Sequence, residues 1–237
     1  MAKPRQAALA DLKEDLAVER VSLAEVAAER LRELILLQKL APGCTLSERE
    51  LSERLQISRT PLREAIRQLT QERLIEIPPN RRPQVADPSP THIDDLFDVQ
   101  ATLEALSGRL FCQRASDEQI REVAEMQRQL NAIAMKEEPM TFFRLDMEFH
   151  CRIVHGTANA ALAETHRQYN AALFRARFMS SKQMRWRDVT LAEHDEIVAA
   201  IEARDGDRAA AALSTHLMSA KANQARLRAE RDTEQSD

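Results

Sequence analysis

The feature that most constrains the fold is the long region 91–231, in which apolar residues recur at helical spacing. Breaks fall at Gly156 and Gly206, and Ser116 with Gln119 forms a capping-box pattern. The small number of glycines and aromatic residues also favours helices over sheets. Six helical segments are predicted, at 91–114, 116–136, 139–155, 159–180, 188–203 and 206–230. This region is therefore predicted to be an all-α antiparallel helical bundle.

The region before the bundle has a different pattern. Helical spacing begins at Ser22 and ends at the "APGC" break. The stretch "LSERELSERLQISRTPLREAIRQL" then reads as two short helices with a tight connection. Ser47 with Glu50 starts the first helix and Ser58 caps the second. "IEI" and "QVA" read as short strands on either side of "PPNRRP", so the order predicts a winged helix-turn-helix.

Together these patterns predict a mainly α protein with two domains. A loose tail is expected at 1–20, a winged helix-turn-helix domain at 21–87, and an all-helical domain at 91–231. The proline-rich "ADPSP" stretch is interpreted as the linker between the two domains.

Composition excludes some classes of protein. A chain of 237 residues that is 43% hydrophobic can bury a core, and it lacks an apolar run long enough to span a membrane. Three scattered cysteines without a CxxC pair indicate reduced thiols, so a cytoplasmic location without membrane contact is expected. The net charge of -4 gives no general attraction to nucleic acid, but a local basic patch would suffice.

Such a patch is found in the helix-turn-helix segment. Between Arg54 and Ala86 there are seven arginines and three glutamates. First-turn residues of a recognition helix reach bases and phosphates, and a wing tip reaches the backbone or the minor groove. The candidate DNA-binding residues are Arg49, Ser58, Arg59, Thr60, Arg63, Arg81 and Arg82. The alternative is a solvated, salt-bridged helix face, but the caps, the helix spacing and the wing occur together here.

A second candidate site lies in the helical region. Asp146 and His150 are four residues apart, so they share one helical face with apolar neighbours, while His194 and His216 lie on the apolar faces of two later helices. A buried carboxylate is costly unless it has a partner. A divalent cation such as Zn, Ni or Mn would satisfy all four side chains. The alternative is hydrogen-bonded core histidines. The remaining histidines, expected at the surface or in packing, are His92, His155 and His166.

The charge of this site suggests a ligand. One carboxylate and a divalent ion leave about one positive charge inside the bundle. Open coordination positions on the ion would then attract a small anion, most simply a carboxylate metabolite.

The sequence resembles a known family. The stretch "TLSERELSERLQISRTPLREAIRQLTQERLIEIPPNRRPQVA" resembles the GntR family of bacterial regulators, and the helical region is similar to the FCD ligand domain of its FadR-like subgroup. The resemblance implies DNA contacts from Arg49, Arg59, Thr60, Arg63 and the wing. It also implies a metal held, in chain order, by Asp146, His150, His194 and His216.

Two positions depart from the family pattern. The wing tip has Arg82, followed by proline, where the family usually has glycine, and a glycine lets the backbone approach the minor groove more closely. In the first bundle helix Gln100 stands where an effector-binding arginine is common in the family. We therefore expect Gln100 near a less acidic effector, or Arg175 or Arg177 in the role of the missing arginine.

The resemblance implies a DNA-binding transcriptional regulator controlled by a small organic acid. A homodimer would place two winged helices on a pseudo-palindromic operator, and repression is the commoner behaviour in the family. One alternative is a constitutive DNA-binding dimer with a purely structural metal. The other is an all-helical metalloenzyme, which is disfavoured because neither Glu148 nor Glu193 is clearly placed as a general base. We therefore expect no enzymatic activity.

Overall fold

The computed structural model describes residues 22–234, apart from the side chains of Asp232 and Glu234. The tail predicted at 1–20 lies outside the described residues. Within 22–234 the architecture is mainly α with one two-stranded sheet, which confirms the predicted fold class. No helix in this range is long and apolar enough to cross a membrane.

The first part of the described chain, called the head below, is a helix-turn-helix followed by a hairpin. Its elements are α1 Leu23–Leu36, α2 Glu48–Leu55, α3 Arg59–Gln71, β1 Ile75–Glu76 and β2 Gln84–Val85. The strands are antiparallel, with Ile75 opposite Val85. A small apolar core that includes Leu31, Leu62 and Leu69 joins the helices to this hairpin.

Three serines stand at the starts of the head helices, and they act differently. Ser22 forms a complete capping box at α1. At α2 the Ser47 hydroxyl accepts from the Glu50 amide at 3.4 Å, so only half of the predicted capping box is present. Ser58 occupies the N-cap of α3, but its side chain makes no cap hydrogen bond. The Ser58 hydroxyl therefore contributes little to holding α3.

The second part of the chain, called the bundle below, contains the six predicted helices. Their bounds are α4 Pro90–Arg114, α5 Asp117–Ile133, α6 Pro139–Gly156, α7 Ala160–Ser181, α8 Arg187–Glu202 and α9 Gly206–Glu234. The predicted capping box of Ser116 and Gln119 is present at α5. A short 3₁₀ helix, Met184–Trp186, precedes α8 and was not predicted.

Helix α4 lies at the centre of the bundle and packs on α6, α7 and α9. Its approach to α9 requires a glycine, because a Cβ atom at Gly108 would lie 2.6 Å from the Leu213 side chain. The main core includes Phe111, Phe149 and Ile197. The faces of α4, α6, α8 and α9 that build the functional site border this core.

The head rests on α6 and α7 of the bundle. Leu36, at the end of α1, packs with Phe143, Met147 and Phe178. Arg144 of the bundle also forms an ion pair with Glu29 of the head. A cavity described below lies between the same two parts of the chain.

Candidate metal centre and nucleic-acid interface

Four polar side chains from three helices meet inside the bundle. Asp146 and His150 lie one turn apart on α6, His194 lies on α8 and His216 lies on α9, and all four are buried. One potential ligand atom from each lies within 4.8 Å of the other three. The four residues occupy the apolar faces of their helices, so packing of the core brings them together.

The surroundings of His194 fix which ring nitrogen faces the cluster. The Gln127 amide donates to Asp195 Oδ1 at 2.8 Å and to the Leu191 carbonyl at 3.2 Å. That orientation leaves Gln127 Oε1 3.2 Å from Nδ1 of His194. Because Oε1 can only accept, Nδ1 carries the proton and Nε2 presents a lone pair to the cluster.

His216 is oriented in the same sense by a carboxylate. Its Nδ1 lies 2.9 Å from Oε2 of Glu193, whose other oxygen accepts a hydrogen bond from the Ser219 hydroxyl at 2.5 Å. A carboxylate only accepts, so the ring donates from Nδ1 and its Nε2 also presents a lone pair. Glu193 is not predicted from the sequence to act as a base, and this contact makes it a positioning residue for His216.

These orientations leave acceptors facing acceptors. Nε2 of His194 lies 3.4 Å from Nε2 of His216 and 3.4 Å from Oδ1 of Asp146. Among the described residues, the buried Oδ1 of Asp146 and Nε2 of His150 have no hydrogen-bond partner. Buried lone pairs without a donor are unfavourable. A divalent cation at the centre would satisfy them, so this donor set fits a metal ion.

A buried glutamate that the sequence interpretation missed lies behind the cluster. Glu104 Oε2 is 2.6 Å from Nδ1 of His150, although this contact lacks hydrogen-bond geometry. Its Oε1 is 3.2 Å from Nη1 of Arg177 and 3.3 Å from Nε2 of His166. Burial by itself raises the pKa of the Glu104 carboxyl, but His150 and Arg177 more than offset this and hold the pKa well below its usual range. Glu104 is therefore a buried carboxylate.

Arg177 links this glutamate to the proposed ligands. Its Nη1 donates to Asn170 Oδ1 at 3.0 Å, and its Nη2 lies 3.9 Å from Oδ2 of Asp146. Arg177 therefore lies within ion-pair distance of the carboxylates of both Glu104 and Asp146. The sequence counted one carboxylate and expected a net positive site. Glu104 and Arg177 add one charge of each sign, so a net positive site with a bound divalent metal stays a prediction.

The pKa values of two of the proposed ligands, His150 and His194, are shifted by their surroundings. Burial lowers the pKa of His150, against the opposing charge of Glu104. Burial together with the neighbouring His216 and His150 holds the pKa of His194 well below its ordinary value. Burial therefore favours the neutral form of both rings, and neutral imidazole is the form that coordinates metals.

The two candidate effector residues have different positions. Gln100 is buried and donates to Glu104 Oε1 at 3.3 Å, so it belongs to the network behind the cluster. Arg175 instead lines a separate cavity between the head and the bundle. Residues two apart on a helix point to different sides, and Arg177 is the arginine that reaches the cluster. The expectation for Arg175 is therefore corrected in favour of Arg177.

The cluster opens to a small polar cavity of about 30 Å³. Its lining includes Asp146, Arg177 and His216. Hydroxyl and amide groups supply much of the rest: Ser180, Ser181, Thr190, Ser219 and Asn223. This volume holds about one water molecule. A larger guest would require the surrounding helix ends to move apart.

The candidate DNA-binding residues all lie exposed on the head. Arg49 is in the first turn of α2, Ser58 is the N-cap of α3, and the hairpin loop between β1 and β2 carries Arg81 and Arg82. Arg59, Thr60 and Arg63 lie in the first turns of α3. Arg63 is partly engaged, since its Nε lies 2.9 Å from Glu48 Oε2.

A winged helix-turn-helix joined to an all-helical domain with a buried polar cluster defines a class of DNA-binding regulators with a separate ligand domain. Comparison with known families agrees. Residues 23–85 match the family described as bacterial regulatory proteins, gntR family, and residues 95–219 match the FCD domain. The chain belongs to the GntR family and carries an FCD domain, the architecture that fits the FadR-like subgroup. It is a transcriptional regulator rather than an enzyme.

Curated relatives cover most of the chain. The HTH-type transcriptional repressor RspR of Escherichia coli strain K12 is 30% identical over 179 residues, which span 75% of this chain and 78% of that protein. The Nta operon transcriptional regulator of Aminobacter aminovorans is 31% identical, over 74% of this chain and 82% of that protein. The repressor NanR of Klebsiella aerogenes is 30% identical, over 86% and 85% respectively.

Solved structures show the same fold. Escherichia coli McbR/YncC superposes with a TM-score of 0.74 at 19% identity, covering 88% of this chain and 99% of that one. A GntR regulator from Rhodococcus sp. RHA1 superposes with a TM-score of 0.68 at 23% identity, covering 86% and 98%. At these identities the likeness concerns the fold alone.

Proposed function

We propose that this regulator is a repressor whose operator binding is controlled by a small carboxylate bound beside a divalent metal in the bundle. The metal ligands in this proposal are Asp146, His150, His194 and His216. The observation that carries it is the pair of inward Nε2 lone pairs, 3.4 Å apart, on His194 and His216. Their Nδ1 protons are fixed by outer partners, so neither ring can donate to the other.

One Asp oxygen and three imidazole nitrogens suit Zn, Ni or Mn. Such a set leaves coordination positions open on ions that accept more than four ligands. A bound metal ion would polarise and attract an anionic oxygen there. Arg177 would hold the other end of a small carboxylate, and the hydroxyl groups at the cavity mouth would donate further hydrogen bonds. Gln100 would act indirectly, through its contact with Glu104.

On the DNA side, the first turns of α3 would enter the major groove. Arg59, Thr60 and Arg63 would reach base edges and phosphates there, while Arg49 and Ser58 would contact the backbone. The wing arginines, Arg81 and Arg82, are exposed at the hairpin tip and would contact phosphates or the minor groove. The names of RspR and NanR support repression as the sign of control.

A homodimer is supported by an apolar face on α4 that no other described element covers. Val99 is 39% exposed and Leu106 is 40% exposed. Leu103 and Leu110 are partly buried beside them. These four residues recur at the spacing of a helix–helix seam. Pairing of two copies through α4 would bury the face and place two heads on the half-sites of one operator.

The test combines metal analysis with DNA binding. Elemental analysis and native mass spectrometry of freshly purified protein should show about one divalent metal per chain in a dimer. A gel-shift assay uses an operator selected by the protein from random duplexes, with candidate small carboxylates added. Loss of retardation only when both metal and acid are present is expected. Protein that is purified without metal and takes up no divalent ion on reconstitution would refute the metal centre.

The small cavity favours one alternative, a metal that is purely structural in a constitutive DNA-binding dimer. A cavity of about 30 Å³ has no room for an organic acid without movement of its walls. Thermal melting separates the two cases. A structural metal gives chelator-sensitive stability and no response to acids. An effector site gives additional stabilisation by the acid only when metal is present.

A further inference from the structure

A second cavity, which shares no lining residue with the cluster, lies between the head and the bundle. It has a volume of about 300 Å³, within the range of small-molecule sites. Its walls come from the end of α1, the turn after α3, the linker before α4, and the helices α7 and α9. Nothing in the metal centre lines it. The cavity therefore touches both parts of the chain at once.

Four arginines line this cavity, and they come from both sides. Arg73 belongs to the head, Arg175 lies on α7, and Arg228 and Arg231 lie on α9. Asp87 is the carboxylate that shares the lining with them. Positive charge therefore exceeds negative charge around the cavity, in a protein whose net charge is -4. Clustered guanidinium groups repel one another unless an anion lies between them.

The charges of these arginines are only partly balanced. Arg228 pairs with Asp94 at 2.9 and 3.0 Å, but its buried Nη1 has no partner among the described residues. Among the described residues, Arg231 donates to the Leu227 carbonyl, at 3.2 Å. Within the side chains that the structure describes, no carboxylate lies within ion-pair distance of Arg73 or Arg175. Burial lowers the pKa of the Arg175 guanidinium, and nearby Asp87 opposes this.

The rest of the lining is mainly apolar, apart from Gln38 and Gln224. Ile35 and Leu74 come from the head, and Ile93, Ala176 and Met179 come from the bundle. An apolar wall facing several guanidinium groups suits a molecule with a hydrocarbon body and an oxyanion end. A free inorganic ion would use the arginines but leave the apolar wall in contact with water.

We propose that this cavity is a second, metal-independent binding site for a small organic oxyanion, a carboxylate or a phosphate ester with an apolar body. The ligand bridges Arg73 of the head to Arg175 and Arg231 of the bundle. It thereby favours the arrangement of head and bundle seen here over others, which is the condition for a ligand to act on DNA binding.

The test uses isothermal titration of the full-length, metal-loaded protein with three probes that share one hydrocarbon body: hexanoate, hexyl phosphate and hexanol. At least one anion is expected to bind about tenfold more tightly than hexanol, because charged hydrogen bonds contribute more than apolar burial alone. The stronger of the two anions identifies the preferred oxyanion. Equal binding of all three probes, or binding of none, overturns the proposal.

Variants locate the site. Arg175→Gln and Arg73→Gln should each weaken binding of the anion about tenfold. Arg175→Lys should retain part of the affinity because it keeps the charge. Arg226→Gln, an exposed arginine on α9 outside the cavity, is the matched control and should have no effect. Unchanged binding in Arg73→Gln would exclude a site that bridges the two parts.

The same titration in His216→Gln separates this site from the metal centre. That variant disrupts the proposed metal ligands and should bind the anion as the unmodified protein does. Loss of binding in His216→Gln that circular dichroism shows to be folded, or in unmodified protein treated with chelator and still folded, would place the anion at the metal centre and overturn the second site. Failure of the second site would leave the metal analysis above unaffected, so the two proposals fail separately.

Hydrogen–deuterium exchange checks the bridging claim directly. Added anion should protect backbone amides on both sides of the cavity, in 73–76 and 86–88 of the head and linker and in 172–179 of α7. Protection confined to α7 would contradict a ligand that holds the head.

Discussion

The head and the bundle place their charged side chains oppositely. In the head, the arginines of α2, α3 and the hairpin loop are exposed, and the core beneath them is apolar. In the bundle, Glu104, Asp146 and Arg177 are buried together with four histidines. Exposed charges contribute little to the free energy of folding, whereas a buried charge is strongly destabilising when it loses a partner.

Because of this difference, we expect function and stability to change independently in the head but together in the bundle. A head arginine can be removed without leaving a buried group unpaired, so DNA binding can change while stability does not. Removal of one member of the buried cluster leaves its neighbours without partners in a low-dielectric site. A substitution in the cluster should therefore alter metal binding and stability together.

The largest expected effect follows from His150→Ala. Loss of one ligand should abolish tight metal binding and lower stability by roughly 3 kcal/mol, which corresponds to a decrease in Tm of about 10 °C. Thermal melting with and without chelator measures it. Chelator should destabilise the unmodified protein and have little further effect on the variant. His155→Ala, an exposed histidine on the same helix, is the control. Equal chelator responses in both variants would contradict the metal centre.

Much of the fold could be predicted from the sequence because the residues that begin or end the helices can be recognised locally. Gly156, Gly206 and Pro139 stand at helix ends, and the predicted helices agree with the observed ones to within a few residues. The 3₁₀ helix Met184–Trp186 was missed because it has neither a cap nor periodicity. The four cluster residues were predicted because each shares an apolar helical face with its neighbours, a pattern visible within a single helix.

The partners of the cluster could not be predicted as reliably, because they depend on which helices are neighbours. Glu104 contacts His166 from a helix far along the chain. A signal existed, since Glu104 shares a face of α4 with Phe97, Ala101 and Phe111. Arg175 and Arg177 could not be separated from the sequence because both lie in "LFRARF", and only the packing of α7 decides which one faces the cluster.

A smaller effect is expected at Gln127, which orients His194. Gln127→Met keeps the size of the side chain but removes the acceptor for Nδ1, so the ring loses its fixed orientation. Metal affinity should fall by about 10- to 100-fold. Competition with a chromophoric chelator measures this change. Gln129→Met, an exposed change on the same helix, should leave affinity unaltered. Unchanged affinity in Gln127→Met would mean that His194 does not coordinate through Nε2.

In the head, Arg59→Ala tests whether DNA binding is separable from stability. Affinity for the selected operator should decrease by about 1–3 kcal/mol if Arg59 contacts a base, while the free energy of unfolding should change by less than about 0.5 kcal/mol. Fluorescence anisotropy and chemical denaturation provide the two measurements. Arg121→Ala, an exposed arginine on α5, is the control. A parallel loss of stability would mean that the head arginines, like the bundle charges, support the fold.

The smallest effect is expected at Ser58, where sequence and structure differ. The sequence assigns Ser58 to capping α3, but its side chain makes no cap hydrogen bond, whereas Ser47 accepts from the Glu50 amide. Ser47→Ala should therefore lower stability by about 1 kcal/mol, and Ser58→Ala by only a few tenths. Urea denaturation of both variants measures the difference. If Ser58→Ala also weakens operator binding, its hydroxyl is used for DNA rather than for the helix. Equal destabilisation by both changes would mean that Ser58 caps α3. An exposed residue of the head would then contribute to stability, contrary to the comparison drawn above.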